Sequence, residues 1–327
     1  MMTLRLTASQ CLAATLFIAA VYTTAAAQSE FPTAPVRIIV PFAAGGPTDV
    51  VTRILGDLLS ARWGGKPVVI ENRPGAGTIV ATEAIAKGTP DGTTVGMATN
   101  AFLINPAIEH SLPYDTEKDF AGVSMVATQP VALVANKNFP PNTIAEIVDY
   151  AKKSAEPLNY TSPGPRGVGD LAGKMLEQRA GIKMVHINYN GSAPALTDVI
   201  GGRVPIMFDI WHSSQPYVQS GDLKLIASAS ADRLPGAPNV ATIGETYPGY
   251  TVMAFQAVIG PAGIPPAILD KFSDDIRAIV SSPEFASRTA KLGIDAWGDS
   301  PQELQAWFRQ EIARWRELVK TANIKVE

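Results

Sequence analysis

The chain has 327 residues, 46% of them hydrophobic, with 27 basic against 30 acidic side chains and a formal net charge of −3. That length and apolar content suit two domains with buried cores, and a slightly acidic chain without a basic stripe argues against a nucleic-acid partner. The single cysteine, Cys11, leaves no disulfide within the chain.

The first segment reads as an export signal rather than as part of the fold. Met1 to Gln10 carries one charge, Arg5, and Cys11 to Tyr22 is almost wholly apolar. Ala25-Ala26-Ala27 then supplies small residues at the −3 and −1 positions, which predicts cleavage after Ala27 and a periplasmic mature chain. The apolar stretch falls short of the roughly 20 residues that span a bilayer. Cleavage removes Cys11 and Arg5, so the side-chain charge falls from −3 to −4.

The mature chain alternates short β-branched runs with amphipathic segments. Val36 to Val40 reads as a buried strand. A turn with Gly45-Gly46 follows, then a helix with Val51, Ile54, Leu55, Leu58 and Leu59 on one face. Val68 to Ile70 is the next strand. A second helix is predicted from about Thr78 to Lys87, with Gly88 as its C-cap, and Thr93 to Ala98 is a third strand. This βαβαβ order predicts a parallel sheet with helices on both faces. Val123 to Val134 is strand-rich and suits a crossing between domains.

The alternation restarts near Leu158. Strand Leu158 to Thr161, a Gly/Pro loop and a helix to about Ala180 come first. Strand Met184 to Ile187, a helix from Ala193 to Ile200 and strand Val204 to Phe208, ending at Asp209, complete the second unit. Thr251 to Gly260 suits a return crossing. Three helices follow, over about 265–281, 283–292 and 301–322. The last carries Leu304, Trp307, Phe308, Ile312, Trp315 and Leu318 at helical spacing and is expected to pack on the first domain. The expected division is 28–127 plus 251–327 for one domain and 128–250 for the other.

In open α/β sheets, ligands bind at the carboxyl ends of strands. The loops there are rich in Gly, Ser, Thr and Asn, and several feed directly into helix N-termini, where free backbone N–H groups and the helix dipole favour an anion. A carboxylate can be held there without an arginine. Metal and cofactor chemistry is not expected. His110, His186 and His212 lack metal-ligand spacing, and neither a G-x-S-x-G elbow nor a Walker lysine is present. Asp49 reads as a structural carboxylate at a helix start.

At these loops the chain resembles the Bug, or TctC-like, extracytoplasmic solute receptors of tripartite tricarboxylate transporters. The matching segments include Pro35-Val36-Arg37-Ile38-Ile39-Val40-Pro41-Phe42 with Gly45-Gly46-Pro47-Thr48-Asp49, and Glu71-Asn72-Arg73-Pro74-Gly75-Ala76-Gly77. Further matches are Pro90-Asp91-Gly92-Thr93, Leu112-Pro113-Tyr114-Asp115, Ser162-Pro163-Gly164, Tyr189-Asn190-Gly191-Ser192 and Gly260-Pro261-Ala262-Gly263-Ile264-Pro265. The resemblance implies two Rossmann-like α/β domains with a ligand cleft between them, in a type II periplasmic binding protein architecture. It also implies a small carboxylate ligand, membrane transporter subunits as partners, and a monomer.

Carried over by position, the first-domain ligand residues are Phe42, Ala44, Gly45, Gly46, Thr48, Asn72, Gly75, Ala76, Gly77, Thr99 and Asn100. The second domain offers Ser162, Gly164, Arg166, Tyr189, Ser192, Phe208 and Asp209. Asp170 stands where many relatives have histidine, and Asn190 where they often have lysine or arginine. Arg166 is expected to pair with the distal carboxylate of a diacid or to be a solvated loop residue. Two alternatives stay open: a partner that presents the ligand to a membrane sensor kinase, and a periplasmic enzyme.

Overall fold

The computed structural model describes residues 31–164, 167–189, 191–234 and 236–321. The expected signal segment and its cleavage after Ala27 lie outside these residues, as do Arg166 and Asn190. In chain order the first unit is β1 (Val36–Val40), α1 (Pro47–Arg62), β2 (Val68–Asn72), a 3-10 turn (Ala76–Thr78), α2 (Ile79–Ala86), β3 (Thr94–Ala98) and α3 (Asn100–Ile108). The long strand β4 (Phe120–Asn136) and α4 (Ile144–Lys153) follow. The second unit is β5 (Leu158–Thr161), α5 (Val168–Ala180), β6 (Met184–Ile187), α6 (Ser192–Ile200), β7 (Ile206–Ile210), α7 (Trp211–Gln219), β8 (Leu223–Ser228) and α8 (Ile243–Thr246). The chain ends in β9 (Met253–Pro261), α9 (Pro266–Val280), α10 (Pro283–Thr289), the short β10 (Asp295–Ala296) and α11 (Pro301–Thr321).

β1 is made of β-branched residues apart from Arg37, and Val36, Ile38, Ile39 and Val40 are fully buried. Such a strand is covered on both faces and belongs inside a sheet. It pairs in parallel with β2 and β3, with Ile38 opposite Ile70 on one side and Val95 on the other. The sheet then turns antiparallel: β3 pairs β9, and β9 pairs β4 from Phe120↔Pro261 to Pro130↔Met253. The βαβαβ strands of both units are parallel, as their alternation predicts, and the sheets become mixed only through β4 and β9. The difference arises because the two crossing strands join the sheets instead of merely linking them.

β4 leaves the first sheet at Pro130 and enters the second at Val131, where it lies between β7 and β8. The second sheet runs β6-β5-β7-β4-β8, and the first β2-β1-β3-β9-β4. The two units thus repeat one order: second strand, first strand, third strand, then an antiparallel neighbour.

α11 buries Leu304, Phe308, Ile312, Trp315, Leu318 and Val319, the stripe expected of a core helix. It packs on α3 and β4, with Phe102 and Phe308 rings 5.3 Å apart. Each such buried side chain contributes about 1.5–3 kcal/mol. The C-terminal end of α11 also reaches the second unit, where Gln178 Nε2 donates to Thr321 Oγ1. No helix among the described residues is long and apolar enough to cross a membrane.

Two local expectations change. Gly88, just after α2, is not among the glycines with positive φ, so it is not a left-handed C-cap. A Cβ there would lie 2.9 Å from Thr94 Cγ2 and 3.1 Å from the Ile85 carbonyl; the glycine is needed for space. Asp209 lies inside β7 rather than just past its end, and it is fully buried.

Candidate functional site

A cavity of about 600 Å3 opens between the two sheets. Its wall is built mainly from helix starts. Thr48 comes from α1, Thr78 and Ile79 from the start of α2, Thr99, Asn100 and Ala101 from the start of α3, and Gly167 and Val168 from the start of α5. The N-caps of these four helices are Gly46, Thr78, Thr99 and Gly167, and none makes a side-chain capping hydrogen bond. Among the other helices, Thr143 on α4, Thr242 on α8 and Ser282 on α10 make such caps, whereas Gly191 on α6, Ile210 on α7 and Pro265 on α9 do not. Four helix N-termini therefore bring the positive ends of their dipoles to one cavity, with no side chain capping them, although the Ile79 N–H is given to the Ala76 carbonyl and the Phe102 N–H to the Thr99 carbonyl.

The first-domain loops are held rigidly. Asp49, in the first turn of α1, accepts from the Gly45 N–H at 2.8 Å, from Arg53 Nε at 2.9 Å and from Asn72 Nδ2 at 2.9 Å. Burial opposes its ionisation, but the Arg53, Gly45 and Asn72 hydrogen bonds outweigh burial and hold the carboxyl at about 2. Asn72 Nδ2 also donates to the Phe42 carbonyl at 3.0 Å, and Arg53 Nη2 donates to Asn72 Oδ1 at 3.1 Å. Asn72 is thus a clamp that fixes the Phe42–Thr48 loop against the end of β2.

The next loop stores strain. Ala76 and Thr78 are the non-glycine residues with positive φ among the described residues, at 44° and 80°. A β-branched residue there costs about 1–3 kcal/mol. Asn105 Nδ2 braces the turn by donating to the Gly77 carbonyl at 3.0 Å, and Thr82 Oγ1 donates to the Thr78 carbonyl at 3.0 Å. Asn100 ties α3 to β9: its Nδ2 donates to the Met253 carbonyl at 2.9 Å and its Oδ1 accepts from the Phe255 N–H at 3.3 Å.

The second-domain side chains are turned inward. Ser162 is fully buried; its Oγ donates to the Gly164 carbonyl at 2.9 Å and lies 2.8 Å from His186 Nε2. Tyr189 donates to Asp198 Oδ2 at 2.5 Å. Ser192 Oγ donates to Asp209 Oδ1 at 2.8 Å. Phe208 is not a cleft side chain: it is fully buried in the core, with its ring edge-on to Tyr160. Asp170 is also buried, and it accepts from Tyr160 Oη and Lys174 Nζ at 2.9 Å each. What the second domain presents to the cavity is the start of α5, at Gly167 and Val168. Gly169 makes this possible, since a Cβ on it would meet the Phe208 carbonyl at 2.5 Å and push α5 off the strand ends.

Ser162, His186 and Asp170 fall in the order of a nucleophile, a base and a carboxylate. Ser162 Oγ lies within hydrogen-bond distance of both the Gly164 carbonyl and His186 Nε2, and His186 Nδ1 stands 3.7 Å from Asp170 Oδ1, longer than a hydrogen bond. Burial, opposed by the Asp170 charge, also lowers the His186 pKa.

Of the residues expected in the site, Phe42, Thr48, Ala76, Gly77, Thr99 and Asn100 line the cavity. Ala44, Gly45, Gly46 and Gly75 belong to the same two loops without forming the wall. Arg166 lies outside the described residues. The sequence reading missed Gln129 on β4 and Ala254, Phe255 and Gln256 on β9, which form the floor. The signal was available, because 123–134 and 251–260 read as interdomain crossings, and a crossing strand must pass the cleft. Glu109, at the end of α3, is the one ionisable side chain among the described wall residues.

A family model described as the tripartite tricarboxylate transporter family receptor, TctC, matches residues 51–324. The chain is 36% identical over 302 residues to a UPF0065 protein of Bordetella bronchiseptica, covering 92% of this chain and 89% of that one. Among solved structures it is similar to an R. palustris protein with adipate, at 31% identity and a TM-score of 0.75, over 90% of this chain and 99% of that one. It is also similar to MatC from Rhodopseudomonas palustris with bound malate, at 30% identity and a TM-score of 0.71, over 88% and 100% of the two chains. With a match of this length and relatives along nearly its whole extent, the chain belongs to the TctC family of tripartite tricarboxylate transporter receptors.

Proposed function

We propose that this protein is a periplasmic solute receptor that captures a small organic carboxylate in the cavity between its domains and delivers it to the membrane subunits of a tripartite transporter. The observation that carries this reading is the convergence of four helix N-termini without side-chain caps on one cavity. Such ends attract an anion, and backbone N–H groups suit a carboxylate. Similar proteins with adipate and with malate support the same ligand class. The domains are 28–127 with 251–327, and 128–250; the passage of β4 from one sheet to the other at Pro130 and Val131 supports this division. Export with cleavage after Ala27 delivers the chain to the compartment that this role needs. Arg166 neighbours the wall residue Gly167 in sequence and is assigned to the distal carboxylate when the ligand is a diacid.

A ligand that binds only the folded state raises the melting temperature by mass action. Thermal unfolding is measured against a panel of aliphatic di- and tricarboxylates, aromatic carboxylates and acidic amino acids, each beside its neutral amide. The expected result is a shift with acids and none with amides. Shifts with the amides alone would overturn the reading.

A further inference from the structure

We propose that the contact of His212 on Gly293 is a stop that sets how closely the two domains approach, and with it the length of acid the cavity accepts. The inference rests on the carboxylate reading above and adds to it a determinant of ligand length outside the cavity wall. Gly293 closes the 3-10 turn Ala290–Leu292 in the first domain, and His212 stands in the first turn of α7 in the second. A Cβ on Gly293 would lie 2.2 Å from His212 Cβ, 2.3 Å from its Cγ and 2.5 Å from its Nδ1. Turning the imidazole does not relieve such a clash, because a Cβ keeps its place in every rotamer. Among the described glycines, Gly293 is the one whose Cβ would come within 3.0 Å of the other domain.

Each side of the contact is pinned within its own domain. Trp211, next to His212, is buried in the second-domain core with Ala132, Val134 and Met207, and α7 packs on β4. On the other side Gln129 Nε2 donates to the Leu292 carbonyl at 3.1 Å, and β10 pairs with β4 through Asp295↔Thr128 and Ala296↔Ala127. The turn is thus fixed to β4 just before the strand changes sheet, and α7 just after it, where Ile210 pairs with Val131. Gln129 is also part of the cavity floor, so the contact lies beside the space that the ligand fills. Gly293 holds φ at 58°, which glycine adopts without strain. Its missing side chain matters as well: a methyl group there would hold the domains apart by about 1–2 Å, the retreat needed to reach an ordinary carbon contact. One methylene lengthens an extended acid by roughly 1.3 Å. An acid that spans from the Asn100 side of the cavity to the Gly167 side therefore reads this separation.

The test compares the wild type, Gly293→Ala, His212→Gly and the double variant, none of them altered in the cavity wall. Calorimetry with straight-chain diacids from succinate to suberate gives the preferred length. Spin labels at Ala44 and Ala193 give the domain separation without ligand. Gly293→Ala is expected to lengthen the label distance and to move the preference to a longer acid, with the affinity ratio of longer to shorter acid rising about tenfold per methylene. Adding His212→Gly is expected to return both readouts toward the wild type. Unchanged distance and preference in Gly293→Ala overturn the stop. So does a change that persists in the double variant, because backbone strain at Gly293 and not the contact then causes it. If Gly293→Ala does not fold, as judged by circular dichroism, His212→Gly alone decides. Lifting the stop is expected to move the preference to a shorter acid, and a profile identical to the wild type overturns the proposal. If no carboxylate binds, the carboxylate reading falls, and the label distances still decide whether the stop exists.

Discussion

Asp209 shows what a single buried carboxyl takes from the stability of the second domain. The group is fully buried, one oxygen accepts from Ser192, and the other has no partner. Burial pushes it up to about 6, against the Ser192 hydroxyl and the Ile210 N–H, which favour the charged form. The folded protein therefore holds a proton on Asp209 between about pH 4 and 6 that the unfolded chain has already lost. Stability is highest below that window and falls as pH rises through 6, by roughly 2–3 kcal/mol. Asp209→Asn keeps the shape and the acceptor for Ser192. It is expected to stabilise the protein by about 2 kcal/mol at pH 7. Urea melts of both proteins from pH 4 to 8 give the difference. A gap that does not widen with pH would contradict this account of the burial.

Among the elements, the first βα loop is shaped by one carboxylate that serves three partners. Asp49 joins the Gly45 N–H, Arg53 on α1 and Asn72 on β2. Its folded value of about 2 lies below the ordinary 3.8, so the stability it contributes is present above about pH 4 and is lost as pH falls through 2. That contribution is roughly 2 kcal/mol. Asp49→Ala is expected to destabilise by at least that much and to weaken carboxylate binding, because the loop then loses its shape; urea unfolding and calorimetry read the two effects. This role was legible in the sequence as a carboxylate at a helix start. So were β1, β5 and β6, whose β-branched or apolar runs end at clear turn residues. α3 was not, since Pro106 interrupts an apolar run without helical periodicity. α4 was missed although Thr143 and Glu146 form its capping pair. The cavity residues at strand ends, from Phe42 to Asn100, could be read from loop composition. Gln129 and Gln256 could not, because they are far apart in the chain and meet in one wall only through the β4–β9 ladder. The second-domain hydroxyls looked available in the sequence. Only the packing reveals that Ser162, Tyr189 and Ser192 are already bonded.

For the molecule as a whole, the cavity lies where the two sheets share a strand, and a hinge is expected there. β4 passes from one sheet to the other between Pro130 and Val131, and the returning chain meets the same level at Met253. Pro130 has no N–H to give to a ladder, and rotation there breaks few sheet hydrogen bonds. The cavity wall draws on both sides of this line, with Thr48, Ala76 and Asn100 on one and Gly167 and Val168 on the other. A carboxylate held by N–H groups from both sides gains most when the sides approach, so the ligand favours the closed arrangement by its differential contacts. The radius of gyration from solution X-ray scattering is expected to fall on addition of a carboxylate that raises the melting temperature. At a ligand concentration about 100 times the dissociation constant, the added stability is about 2.7 kcal/mol. α11 limits the motion, because it packs on β4 while its Thr321 Oγ1 accepts from Gln178 Nε2 of the second domain. A closing rotation is therefore expected to turn about an axis near α11, with the Phe42 and Gly167 sides of the cavity moving most. A distance probe pairing Ala44 with Gly191 is expected to shorten on ligand addition, and one pairing Arg314 with Gln178 to stay constant. If both distances stay constant while ligand binds, the domains are already closed and binding does not require a hinge.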